Sequence, residues 1–222
     1  AVMSSMYAVY HGPVGLRKIA SEIHNQTRAL AGALAELGYT NVNERFFDTL
    51  KIEVGKNFEN IRMTAIEKGL NLRYFEDEEH IGISLNETVN HEDIIELVSV
   101  FVNKQDFPAV ANHGKDVSQD ILKGYLRESE FLKHEVFNRY HSETEMMRYV
   151  KRLENKDLSL VHSMIPLGSC TMKLNAASEL IPITWTAFAG IHPFTPSEQV
   201  KGYHLILDEL AKDLCEITGF HS

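Results

Sequence analysis

Residues 70–85 read LNLRYFEDEEHIGISL and contain two short runs in which apolar and polar residues alternate. The apolar members are Leu70, Leu72 and Tyr74 in the first run and Ile81, Ile83 and Leu85 in the second. A period of two is typical of a strand with one buried face. The acidic residues 76–79 separate the runs, so we predict an antiparallel hairpin with a solvated tip.

The segments on either side of this hairpin predict helices and a further strand. Gly12-Pro13 begins a long helix with apolar residues three and four positions apart, and Gly38 ends it. Residues 46–54 have a strand composition, and a short helix ending at Gly69 follows. After the hairpin, Asn90 and Asp93 form a cap pattern for a third helix. The order α-β-α-β-β-α predicts an α+β fold, a small antiparallel sheet with helices on one face.

The second half of the chain has weaker patterns. We predict a linker over residues 104–128, and a helix from the Ser142–Glu145 capping box to about Glu154. Residues 155–193 are predicted to be mostly irregular. Thr195–Glu198 forms a second capping box, which predicts another helix. The apolar stripe of this helix is formed by Val200, Tyr203, Ile206, Leu207, Leu210, Leu214 and Ile217.

Composition excludes several classes of protein. The chain has 222 residues, 44% hydrophobic and 24% charged, which is typical of a globular protein. Its net charge of −9 argues against nucleic acid or an anionic membrane as a partner. Two cysteines do not make a disulfide framework and favour a reducing compartment. No apolar run approaches the ~20 residues of a membrane helix.

The twelve residues 164–175, MIPLGSCTMKLN, are rich in small side chains, hydrogen-bond donors and a thiol. Loops of this composition often lie near ligands. The stretch resembles the glycine decarboxylase (P-protein) of the glycine cleavage system, a pyridoxal-phosphate enzyme. The resemblance extends to four further motifs at residues 7–13, 141–146, 190–194 and 214–220, which read YAVYHGP, HSETEM, GIHPF and LCEITGF.

This resemblance implies a domain organisation. The family's chain has two halves that each look like a fold-type-I pyridoxal-phosphate enzyme, and our chain looks like their junction. Residues 1–103 would be the C-terminal small domain of the first half, 104–128 a linker, and 129–222 a mostly helical and irregular N-terminal arm of the second half. We therefore expect an excised piece of a longer protein.

The resemblance also implies the activity of the whole protein, glycine dehydrogenase (decarboxylating), an oxidoreductase of glycine catabolism. Pyridoxal phosphate accepts electrons as glycine loses carbon dioxide, and the aminomethyl group passes to the lipoyl arm of the H-protein. Such a protein would be cytoplasmic in a bacterium and mitochondrial in a eukaryote. The fragment alone is expected to be inactive and to bind no pyridoxal phosphate, because the Schiff-base lysine is expected beyond Ser222.

Six residues are candidates for substrate binding by the same resemblance: Ser169, Cys170, Thr171, Lys173, Asn175 and His192. Ser169, Thr171 and Asn175 could donate hydrogen bonds to a carboxylate, while a turn that caps a helix is the alternative. Lys173 has no adjacent His and is interpreted as a structural or carboxylate-facing charge, and Cys170 as a small packing residue or a nucleophile. The histidines lack the spacing of a zinc site, so no metal is predicted.

A non-enzymatic interaction module is the competing hypothesis, with the small α+β domain as scaffold and the C-terminal segment as a docking arm. In the whole protein, the apolar stripe of the last helix is expected to pack on the large domain of the second half. In this chain, which lacks that domain, we expect the stripe to be buried against the first domain or against another copy of the chain, and self-association is the favoured outcome.

Overall fold

The computed structural model describes residues 1–102, 124–157 and 176–221. The chain divides into two units, residues 1–163 and 164–222. In the described part of the chain, no helix combines the length and hydrophobicity required to cross a bilayer.

The first unit contains a four-stranded sheet in the order β1-β2-β4-β3, with antiparallel neighbours throughout. Its strands are β1 (Thr40–Asn41), β2 (Thr49–Glu53), β3 (Arg73–Tyr74) and β4 (His80–Ser84). The predicted hairpin is confirmed, since Tyr74 pairs with Ile81 and Arg73 with Gly82. At its tip, one carboxylate oxygen of Asp77 accepts the backbone N–H groups of residues 79 and 80. The two-residue β1 was not predicted.

One face of this sheet forms the core of the unit. Leu50 and Ile52 of β2 and Ile81 and Ile83 of β4 are at most 3% exposed. The opposite face has Lys51 and Arg73 above the ring of Phe75. The two faces differ because side chains alternate along a strand, as the sequence pattern required.

Three helices cover the apolar face: α1 (Val2–Glu36), α2 (Phe58–Glu67) and α3 (His91–Phe101). Their buried side chains form one cluster with those of the sheet. The predicted cap of α3 is confirmed, because Asn90 and Asp93 exchange side chain to backbone hydrogen bonds. The observed α+β architecture matches the predicted fold class, with the small strand β1 added.

Helix α1 begins earlier than predicted. Its non-helical residue Gly12, with φ 60° and ψ −177°, separates residues 2–11 from a second helical segment that begins at Pro13. The predicted start at Gly12-Pro13 is therefore correct for the second segment, and the first segment was missed. Its periodicity is weak, since residues 2–11 include the exposed Val2 and Met3.

Residues 124–157 belong to the first unit. A 3₁₀ turn, Glu135–Asn138, contacts α1, and α4 (Glu143–Glu154) follows it. The Ser142 side chain accepts the backbone N–H of Glu145, which confirms the predicted helix start. The division at residues 103 and 128 stays a prediction, because residues 103–123 lie outside the described residues.

The second unit is described from residue 176 to 221. It contains the short helices α5 (Ala177–Leu180) and α6 (Thr186–Ala189) and the longer α7 (Lys201–Thr218), so the expectation of irregular structure was wrong for residues 177–189. The prediction that the Thr195 capping box begins the last helix was also wrong. The Thr195 hydroxyl donates to the carbonyl of His192, and α7 begins only at Lys201. Gly219 ends α7 in the left-handed conformation.

Candidate functional site

Of the six predicted substrate-binding residues, only His192 lies within the described residues. Ser169, Cys170, Thr171, Lys173 and Asn175 lie outside the described residues. His192 is described and is exposed. Its Nδ1 accepts the backbone N–H of Phe194 at 3.1 Å, and its carbonyl accepts the Thr195 hydroxyl at 2.7 Å. These bonds hold a turn together, and the substrate-binding role of all six residues stays a prediction.

Two of the other motifs, residues 7–13 and 141–146, meet in the first unit. The Nδ1 of His141 lies 2.7 Å from the carbonyl oxygen of Tyr10, across 131 positions of sequence. A carbonyl can only accept, so Nδ1 carries the proton and donates it. The break at Gly12 frees this carbonyl, because the non-helical backbone there interrupts the regular hydrogen bonding between residues four positions apart.

Gly12 is packed too closely for any side chain. A Cβ atom there would lie 2.4 Å from the carbonyl oxygen of Phe137 and 2.7 Å from Cε1 of His141. Its positive φ also favours glycine. The break in α1 is therefore a socket that receives the backbone of the 3₁₀ turn and the imidazole of His141. We call this contact the Gly12 socket.

Aromatic contacts hold the segment on either side of the socket. The rings of Tyr140 and Tyr149 stack 4.3 Å apart, and Arg152 donates to the Tyr140 hydroxyl at 2.5 Å. Tyr140 is 8% exposed, although α4 itself has no buried residue. Before the turn, the guanidinium of Arg17 lies 5.2 Å from the ring centre of Phe131. Residues 124–157 thus contact α1 at Arg17 as well as at the Gly12 socket, while the Tyr140 contacts join the turn to α4.

Beside the socket is an open cleft of about 580 Å³, lined by residues from α1, from the turn before α3 and from α4. The Tyr7 hydroxyl donates to Oε1 of Glu87 at 3.2 Å. Burial, and then the Glu87 carboxylate, raise the pKa of Tyr7 above its ordinary value. The ring of His11 lies 4.3 Å from that of Tyr7, which gives the cleft an aromatic wall.

Sequence reasoning missed most of this arrangement. The sequence identifies residues 7–13 only through their family motif, and no pattern in it indicates a contact between Gly12 and His141. Glu87 lies in a polar turn between β4 and α3 and has no sequence signal of its own. The contact joins residues that are distant along the chain, which local periodicity does not report.

The described residues do not fit pyridoxal phosphate. A Schiff-base lysine needs a neutral amine held in a desolvated site. Within residues 1–102, 124–157 and 176–221, every lysine is exposed except Lys51, which is partly buried. Lys51 lies on the outer face of the sheet against Phe75. In the same ranges, no group of three or more His, Cys, Asp or Glu residues is arranged to hold a metal ion.

Comparison with known proteins relates the chain to a family of the glycine cleavage system. Residues 1–101 match the family described as Glycine cleavage system P-protein. This match covers a little under half of the chain, and similarity to named members of the family extends over essentially its whole length, as the relatives below show. The resemblance deduced from the motifs is confirmed.

The chain is similar to glycine dehydrogenase (decarboxylating). It is 49% identical over 221 residues to the mitochondrial protein of that name from Homo sapiens. It is 50% identical over 226 residues to the protein of that name from Nostoc sp.. Each alignment covers 99% of this chain but only 22% or 23% of the relative. The chain thus spans less than a quarter of the length of these relatives.

Proposed function

We propose that this chain is part of a glycine dehydrogenase (decarboxylating). The observation that carries the proposal is the identity of 49% along essentially the whole chain, which includes residues 164–175 and the motifs that meet at the Gly12 socket. The whole protein would decarboxylate glycine and transfer the aminomethyl group to the lipoyl arm of the H-protein. It would act in the cytoplasm of a bacterium or in a mitochondrion, and the name of the human relative includes the word mitochondrial.

Residues 1–103 would then be the small domain that ends the first half of the protein. An antiparallel sheet with helices on one face is the architecture expected of the C-terminal small domain of a fold-type-I enzyme. Residues 129–222 would open the second half. The Gly12 socket supports a structural role for this junction, since it fastens the start of the second half to the first.

Of the six residues proposed to bind the substrate, five lie outside the described residues and His192 lies within them. Ser169, Thr171 and Asn175 are proposed to donate hydrogen bonds to the glycine carboxylate, with Lys173 supplying a facing charge. Cys170 and His192 are further candidates in the same group. Bound pyridoxal phosphate would supply the electron sink for decarboxylation. Since the described residues do not fit that cofactor, its Schiff-base lysine is proposed to lie in a part of the whole protein beyond Ser222.

A chimaera tests this proposal. The aligned 221 residues of the human relative are replaced by this chain, and release of carbon dioxide from glycine is measured with pyridoxal phosphate and lipoylated H-protein. We expect the chimaera to be active, and its Ser169→Ala/Asn175→Ala variant to have a raised KM for glycine. A chimaera that binds pyridoxal phosphate normally but releases no carbon dioxide would contradict the proposal.

An interaction module is the second candidate, and one observation favours it as a description of the isolated chain. In the second unit, no residue described between 176 and 221 is buried. Helix α7 leaves Leu207 60% and Leu214 51% exposed, which is typical of a surface that binds another protein. The expectation that this stripe is covered by another copy stays a proposal.

A further inference from the structure

The cleft beside the Gly12 socket has the dimensions of a ligand site. Its volume of about 580 Å³ falls within the ~300–1,000 Å³ of small-molecule pockets. Three separate elements line it: α1 contributes Tyr7, Tyr10 and His11, the turn before α3 contributes Glu87, and α4 contributes Met146. The Gly12 socket joins α1 to the residues that directly precede α4, which brings Met146 to the same cleft as the side chains of α1.

Among the described residues that line the cleft, Glu87 has the only acidic side chain. Within the described ranges it forms no ion pair. The Tyr7 hydroxyl donates to one of its oxygens and so orients the carboxylate. A carboxylate has further acceptor positions, and those of Glu87 remain for a ligand. A cation in the cleft would therefore gain a fixed negative partner.

The rest of the lining suits the carbon atoms of an organic cation. The rings of Tyr7 and His11 lie 4.3 Å apart, and that of Tyr10 lies 5.2 Å from His11. Aromatic faces attract a cation through their quadrupole. Met3 and Met146 add thioethers, which adapt to irregular apolar groups. Inorganic cations lack the carbon groups that this surface would cover.

From this geometry we infer that the cleft binds a small alkylammonium ion, with its alkyl groups against Tyr7, Tyr10 and His11 and its charge beside Glu87. Glycine is a poor ligand for this cleft, because its carboxylate would lie beside that of Glu87. The inference is independent of the proposed glycine chemistry, since none of the predicted substrate-binding residues lines the cleft.

Choline and its uncharged isostere 3,3-dimethylbutan-1-ol provide the test. Both are titrated into the full chain, and tyrosine ring resonances are followed by NMR. We expect choline to shift the Tyr7 and Tyr10 signals and to bind about tenfold more tightly than the alcohol, a ratio within the range of cation–aromatic and charge contributions. Equal affinity for the two probes, or no binding of either, would overturn the inference.

Substitutions locate the site. Glu87→Gln keeps the size of the side chain and removes its charge, so choline should lose its advantage over the alcohol. Glu92→Gln makes the same change at an exposed position on α3 outside the cleft and should leave both affinities unchanged. If Glu87→Gln binds choline as the unmodified chain does, the cleft is not the site and the inference is wrong. Circular dichroism checks that both variants are folded.

Discussion

The imidazole of His141 donates from Nδ1 to the carbonyl oxygen of Tyr10 at 2.7 Å, where α1 is interrupted. This bond joins the first helix of the chain to the residue that precedes the cap of α4. Two of the five family motifs therefore have a common structural purpose. They hold residues 124–157 to the small α+β domain although 131 positions separate the bonded residues.

Replacement of Gly12 should disrupt this contact. In Gly12→Ala the new Cβ would lie 2.4 Å from the carbonyl oxygen of Phe137, and the backbone would keep a φ of 60° that alanine disfavours. Strain of this kind costs about 1–3 kcal/mol before any displacement of the 3₁₀ turn. We expect the free energy of unfolding of the first unit to fall by at least that amount in urea titrations.

Gly32 provides the matched control for this substitution. It lies in the same helix and is exposed, and a Cβ added there would have no neighbouring atom within 4 Å. Gly32→Ala should raise the free energy of unfolding by up to about 1 kcal/mol, because alanine is the better helix former. If both substitutions change the free energy of unfolding in the same direction, the Gly12 socket does not contribute to stability as described.

The cap of α3 should contribute measurably to stability. Asn90→Ala removes the acceptor for the Asp93 backbone N–H, a bond of 3.1 Å, and should lower the free energy of unfolding by about 1 kcal/mol. Asn60→Ala is the control, since Asn60 lies inside α2 and is exposed. There the same change should be neutral or slightly stabilising. Equal losses at both positions would show that capping is not the cause.

The sequence was sufficient for features that depend on neighbouring residues. Alternation placed Ile81 and Ile83 on the buried face, and the Asn90 and Ser142 caps began α3 and α4 where they were expected. These features depend on hydrogen bonds and side-chain directions within a few positions. Such short-range effects are the ones that sequence patterns record.

Features that depend on distant residues were not predicted. His24 is 1% exposed and stacks on Phe47, yet nothing in the pattern of α1 distinguished it from an exposed histidine. The Gly12 socket requires Phe137 and His141 from another part of the chain. Thr195 matched a capping box, but its hydroxyl bonds to the preceding carbonyl of His192 and leaves α7 without that cap. Local rules do not choose between such competing partners.

Limited proteolysis should separate the proposed domains. Trypsin is expected to cut first between Lys104 and Glu128, because that sequence has the mixed polarity and glycines of a linker. Lys51 and Arg73 lie in paired strands of the sheet and should be protected. Mass spectrometry of the early products identifies the sites. Early cuts within residues 46–85, with residues 104–128 intact, would contradict the division.

The isolated chain should form no internal aldimine with pyridoxal phosphate. None of the described lysines is in a desolvated site, and Lys173, outside the described residues, has no adjacent histidine in the sequence. The visible spectrum of the mixture should match that of free cofactor, and borohydride treatment should leave Lys173 unmodified. Lys173→Ala serves as the control for incidental labelling. Stoichiometric attachment of borohydride-reduced pyridoxal phosphate to Lys173 would overturn this prediction.

The apolar stripe of α7 should cause self-association of the isolated chain. Leu207, Leu210 and Leu214 are each more than half exposed, and burying a side chain of this size contributes roughly 1.5–3 kcal/mol. Light scattering should give a mass above the 25.2 kDa of one chain. Leu207→Lys/Leu214→Lys places charges in the stripe and should restore that monomer mass.

The control variant keeps the same change in charge on the opposite side of α7. Leu205 lies two positions before Leu207, about 200° around the helix, and Asp208 lies near it on the polar side. Leu205→Lys/Asp208→Asn should therefore associate as the unmodified chain does. If the unmodified chain is monomeric at high concentration, and the change at Leu207 and Leu214 alters neither its mass nor its melting temperature, the stripe is not an interface and this proposal is wrong.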